Sequence, residues 1–170
     1  VTPIVKRMAG GTSFADVTLS DAIASNPQQV ASAVLNGKLF LAYDSTPGAG
    51  EDFLHCYDPL LASPRVRRVG FTTPAAPTVA NTGSGTYAAT KRYYRVRWVQ
   101  KSGSTVIRLS AEGASLEFTP SGTGTAARVT QPTVASEQET HWRIEVSLED
   151  STFYVLSDTV IATTTYDDSA

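Results

Sequence analysis

Cysteine is nearly missing from this sequence. Cys56 stands alone among 170 residues, which excludes an internal disulfide framework and any metal site built on several thiolates. An excess of one charge is missing too. Lys and Arg number 14 against 16 Asp and Glu, and the formal net charge of −2 gives no global field to draw the chain onto a polyanion. No apolar run approaches the ~20 residues of a membrane helix, and no signal peptide is visible. The first residue is Val1 rather than methionine, so the expectation is a processed chain or a segment of a longer one. Helical periodicity is scarce as well. The single segment with helical character is "SDAIASNPQQ", and Pro27 interrupts it.

What is present describes an all-β protein. Hydrophobic residues at 41% and charged residues at 18% belong to a globular chain, long enough for one ordinary domain or two small ones. Thr, Ser, Val, Tyr and Gly are abundant, and turn signals recur every ten or so residues, as in antiparallel sheets.

The chain reads as two halves, 1–73 and 74–170. Between them lies "TTPAAPT", residues 72–78, whose prolines cannot donate to a ladder and suit a short stiff linker. In the first half, "VASAVL-NG-KLFLAYDS" is the clearest local signal. Asn36-Gly37 supplies the two positive-φ residues of a type I′ turn, and both flanks are β-rich. Leu39, Leu41 and Tyr43 point to one side of the second arm, and Lys38, Phe40 and Ala42 to the other. "DFLHCYD" and "RVRRVGF" complete a four-stranded antiparallel meander. Such a sheet leaves two edges unpaired and needs a neighbour, as a propeller blade does.

In the second half, "KRYYRVRWVQKSGSTVIRL" mixes basic and aromatic residues in the manner of a nucleic-acid surface. Alternation separates the two types. Tyr94, Val96 and Trp98 fall on one face, and Tyr93, Arg95 and Arg97 on the other. "HWRIEVSL" repeats the pattern, with Trp142, Ile144, Val146 and Leu148 inward and His141, Arg143, Glu145 and Ser147 outward. Ile107 with Leu109, and Leu116 with Phe118, mark two further strands. The stretch is therefore a strand of a sandwich core with a solvated charged face, and nucleic acid is not an expected partner.

Residues 74–169 resemble a fibronectin type III-like, immunoglobulin-class β-sandwich of about seven strands. The resemblance rests on "PAAPT", "YYRVRWV", "KSGS" before "TVIRLSAEG", "HWRIEVSLED" and the closing pair "TFYVLSDTVIATTTYDDS". More narrowly, "WRIE…TFYVLSDTVIATTTYDDS" is similar to modules of tailed-bacteriophage structural proteins, and the preceding meander to blade-like repeats that accompany them. Glu145 departs from the second aromatic and arginine ("IYR") common in such strands. The resemblance implies a structural virion protein, of the tail or the head–tail connection, acting through contacts with other virion subunits and with copies of itself.

Catalytic chemistry is hard to build from these residues. No GxSxG elbow presents a serine, and His55 and Cys56 are neighbours on a strand and point to opposite faces. Cys56 reads as a buried structural cysteine. The glycines of "NTGSGTY" and "SGTGTAA" lack the lysine and helix of a phosphate loop and read as loop formers. Glu149-Asp150 and Asp167-Asp168 lack the donor spacing of a calcium loop and read as turn and terminus residues. No enzyme activity, cofactor, metal or membrane partner is expected. A carbohydrate-binding or host-adhesion module is the alternative, with Tyr87, Tyr93 and Tyr154 as surface aromatics off the core pattern. An accessory domain of a cell-wall-degrading enzyme is a further one.

Overall fold

A computed structural model describes residues 5–9, 13–17, 29–44, 54–59, 66–87, 89–121 and 125–169. Among them there is no helix, and every strand pairing is antiparallel. Residues 20–28, which hold nearly all of "SDAIASNPQQ", lie outside the described residues. The chain divides into two compact units, Val1–Val69 and Gly70–Ala170.

The first unit contains a ribbon of β1 (Val5–Ala9) and β2 (Ser13–Val17), with Val5 opposite Val17. Its main sheet runs in chain order through β3 (Gln29–Leu35), β4 (Lys38–Asp44), β5 (His55–Tyr57) and β6 (Val66–Arg68). This is the expected meander. Its first turn has the expected chemistry: Asn36 and Gly37 take φ of 49° and 73°, the left-handed pair that matches the twist of the flanking strands. The small core holds Leu41 and Val66, with Leu39 and Tyr57 packed against them. His55 and Cys56 are both buried although successive strand residues face opposite ways. Both faces of β5 are therefore covered.

The second unit is a sandwich of two sheets. One has the order β14 (Thr165–Asp168), β11 (Thr125–Thr130), β7 (Thr78–Tyr87). The other has the order β10 (Leu116–Phe118), β8 (Arg92–Ser102), β12 (His141–Ser147), β13 (Tyr154–Val160), with β9 (Thr105–Leu109) also pairing β8. Trp98 and Trp142 stand directly opposite each other across β8 and β12, and both are buried. Tyr94, Val96 and Ile144 from that sheet meet Ala127 and Val129 from the other in one core. An aromatic ring of this kind buries roughly 150–250 Å², or about 4–6 kcal/mol of transfer free energy before entropic costs. The tryptophan pair therefore anchors the unit.

Several expectations need correction. "TTPAAPT", expected as a short stiff linker, is packed into the second unit. Phe71 belongs to the sandwich core, Pro74 and Pro77 are buried, and Thr72 donates its backbone N–H to Glu137 Oε2 at 2.6 Å. The segment is the first lap of the second unit, and the division falls at 69/70 rather than 73/74. "NTGSGTY" is strand, not loop, because it runs inside β7. A Cβ at Gly85 would stand 2.3 Å from the Thr125 carbonyl oxygen, so glycine there permits the close approach of β7 to β11 where their register shifts. Leu148 is 61% exposed because β12 ends at Ser147, whose hydroxyl accepts from the Glu149 N–H at 3.2 Å as the chain turns. Ile107 and Leu109 do mark a strand, β9, on which both are exposed and which has β8 as its only partner among the described residues. The two closing strands do not pair with each other, since β13 joins β12 and β14 crosses to β11.

Candidate functional site

The outer face of β8 and β12 shows what the arginines do. Across the ladder Arg95 stands opposite Glu145, an opposite-sign pair, whereas Arg97 stands opposite Arg143 and each of those two finds its carboxylate elsewhere. Glu145 sits between two guanidinium groups, accepting from Arg95 Nε at 2.7 Å and Arg97 Nε at 3.1 Å. Arg97 also reaches Glu112 at 3.0 Å, and the Arg95 guanidinium lies 3.9 Å above the Phe153 ring. Arg143 grips Asp158 through two nitrogens at 2.7 and 3.0 Å, and Lys101 adds a third contact at 2.7 Å. The Arg143 hydrogen bonds, with help from Lys101, hold the Asp158 carboxyl down at about 2. This face is not simply solvated. Glu145 and Ser147, expected outward, are buried under the long side chains around them. Each named guanidinium has a carboxylate partner.

The three expected surface tyrosines are not brought together. Tyr93 is half-buried and donates its hydroxyl to Glu117 Oε2 at 3.2 Å, in a cluster with the Lys91–Glu117 ion pair of 2.9 Å. Tyr87 ends β7 opposite Thr125, and its side chain lies outside the described residues. Tyr154 is the open one, 68% exposed at the start of β13. It lines a half-open groove of ≈ 480 Å³ with Arg92, Val146, Leu148, Glu149 and Thr152. The exposed Leu148 thus belongs to a groove rim instead of the core.

The acidic pairs do not converge either. Asp167 forms a two-pronged pair with Arg128 at 2.7 Å, while its neighbour Asp168 is buried and accepts from the Tyr94 hydroxyl at 2.8 Å. Among the described residues, no group of three or more His, Cys, Asp or Glu is placed to hold a metal ion. His141 Nδ1 is 2.8 Å from the Thr140 hydroxyl, and Cys56 is buried.

The feature that alternation alone could not reveal is β3. All residues from Val30 to Leu35 are exposed, with Val30 at 61%, Val34 at 72% and Leu35 at 61%. Among the described residues the strand ends its sheet; it carries no charge or proline and pairs β4 through seven residues without a register shift. Such an edge is a template for another strand. The signal was present in "QVASAVL", seven β-tolerant residues without a charge, but only the strand order shows that one side has no partner strand among the described residues.

No family model, curated protein or solved structure matches this chain.

Proposed function

We propose that this chain is a structural component of a bacteriophage virion, in the tail or the head–tail connection, working through contacts with other virion subunits rather than through catalysis. The observation that supports an assembly role is the uncharged edge strand β3, exposed from Val30 to Leu35, in a unit whose described core is small. The step from assembly protein to virion protein rests on the resemblance of "WRIE…TFYVLSDTVIATTTYDDS" to modules of tailed-phage structural proteins, and of the preceding meander to the blade-like repeats that accompany them, not on fold alone. Particles purified from the phage that encodes the chain test it. Mass spectrometry should find the chain at a fixed copy ratio to the other structural proteins. Its absence from intact particles would sink the reading.

The groove favours a second reading, a glycan-contacting module. Tyr154 offers an open ring face of the sort on which sugar C–H groups stack, and Arg92, Glu149 and Thr152 supply hydrogen-bonding groups beside it. Glycan-array binding that disappears with Tyr154→Ala and survives Tyr93→Ala would establish it.

A further inference from the structure

β3 has no second partner strand among the described residues, and its central sequence reads the same in both directions. Val30-Ala31-Ser32-Ala33-Val34 is a palindrome centred on Ser32. A two-fold symmetric interface requires a surface that is complementary to itself, so that residue i meets j and j meets i. An antiparallel pair of identical strands meets that condition most simply when its side chains are symmetric about the axis. We infer that β3 is a homotypic interface: two copies of this chain pair β3 against β3 about a two-fold axis at Ser32, joining two four-stranded sheets into one of eight.

In this register Val30 faces Val34 of the second copy, Ala31 faces Ala33, and Ser32 faces its own counterpart. Val30, Ser32 and Val34 share one face of the strand, so the pair gathers four valines there around two serines. A slip of one residue would set valine against alanine and turn each side chain toward the opposite face, whereas the symmetric register matches valine with valine throughout. Charge offers no opposition, because the strand has none. Nor does backbone geometry, since the strand pairs β4 without a bulge across all seven residues.

Size sets the strength of the contact. One seven-residue strand pair falls below the ~1,200 Å² at which stable interfaces begin, so the isolated pair is weak and dependent on concentration. Repeated contacts within a larger assembly would make the same pairing persistent. The inference concerns the purified chain and does not rest on the virion reading. It can fail while the chain is found in particles, or hold while the chain is not.

Cysteine cross-linking reads the register directly. At the axis, the two Cα atoms of residue 32 would be ~4.5–5.5 Å apart, within disulfide range. The two copies of residue 30 would be roughly 14 Å apart, because four residues of offset separate them. Both sites are exposed, so substitution there leaves the core intact, and the native Cys56 is buried. Under oxidised glutathione, Ser32→Cys should form a disulfide dimer about tenfold faster than Val30→Cys, given those separations. Equal rates, or no dimer from either, would overturn the register. Sedimentation provides the second measurement. The double variant Val30→Lys with Val34→Lys sets like charges across the axis and should abolish the concentration-dependent dimer. Val30→Glu with Val34→Lys sets opposite charges face to face and should retain it. Identical behaviour of the two double variants, or a native chain that stays monomeric up to its solubility limit, would refute the interface.

Discussion

The two units are made of the same kind of strand, yet they end their sheets differently. In the second unit each edge is blunted. β10 has three residues, β14 carries Asp167 and Asp168, β9 carries Arg108 and shifts register against β8, β13 has a register shift opposite Ile144 and Glu145, and β7 has one beside Gly85. Short, charged and irregular edges resist pairing with other chains. In the first unit, β6 is equally short and carries Arg67 and Arg68, but β3 is long, regular, uncharged and exposed. The cores differ in the same direction. Trp98, Trp142 and six other buried residues form the core of the second unit, against Leu41 and Val66 in the described core of the first. A sandwich closes its own apolar faces and can afford to protect its edges. A lone meander buries little and is stabilised most by whatever strand joins it.

The largest effect that would break this comparison lies in the tryptophan pair. Trp142 is buried opposite Trp98 and donates its indole N–H to the Thr163 carbonyl at 2.8 Å. Trp142→Ala should cost roughly 3–5 kcal/mol, the range for truncating a large core aromatic. Leu148→Ala, at a position expected in the core but 61% exposed, should cost less than about 0.5 kcal/mol. Urea unfolding followed by tryptophan fluorescence measures both, through Trp98 alone in the first variant and through Trp98 and Trp142 in the second. Similar losses for the two would mean that the sandwich lacks the aromatic anchor on which the contrast stands.

Those two positions also show what the sequence could and could not tell. Period-two alternation identified the inward faces of β8 and β12 because both strands are central and have a neighbour on each side. It failed at Leu148, where the strand stops. Alternation reports which side chains share a face and not whether anything covers that face. The Asn36-Gly37 hairpin was legible because both residues take the left-handed backbone that few others accept. The ribbon of β1 and β2 went unread, although Gly10-Gly11 between its arms is a turn signal. The partners of Glu145 were hidden for another reason. A carboxylate on an outward position looks solvated until the arginines of the adjacent strand are brought beside it. In the groove, Tyr154 and Leu148 could each be named in advance, but their meeting at one rim depends on the turn that joins β12 to β13.

Local stability gives a second, smaller contrast. At dilutions where copies cannot pair, amides of β3–β6 should exchange roughly a hundredfold faster than those of β8 and β12, equivalent to ~2.7 kcal/mol between the units' opening reactions. Hydrogen exchange with mass spectrometry resolves the two regions, and limited proteolysis should cut the first unit earlier. The difference should shrink for β3 alone as protein concentration rises, since pairing shields its outer amides. Equal protection of both units in the monomer would show a single cooperative structure and remove the physical ground for a partner-dependent first unit.

Acid should narrow the gap between the units by acting on the better-built one. Asp158 lies on the edge strand β13, and its hydrogen bonds with Arg143 and Lys101 clasp that strand to β12 and β8. Its carboxyl is lowered from 3.8 to about 2, mainly by the Arg143 hydrogen bonds. A depressed folded value means that the ionised form favours folding. The contribution is therefore complete above the unfolded value near pH 4 and is lost as the pH falls toward 2. Discounted for partial solvent screening, it amounts to about 1 kcal/mol. In urea titrations of the second unit, the native chain should lose stability across this window, and Asp158→Asn should begin lower at pH 7 with a shallower acid slope. Asp167→Asn removes the carboxylate of an exposed pair with Arg128 and should change the slope less. If the native and Asp158→Asn chains showed the same slope between pH 4 and pH 2, the ion pairs of the outer face would be ornaments of the strand and not part of what seals that edge.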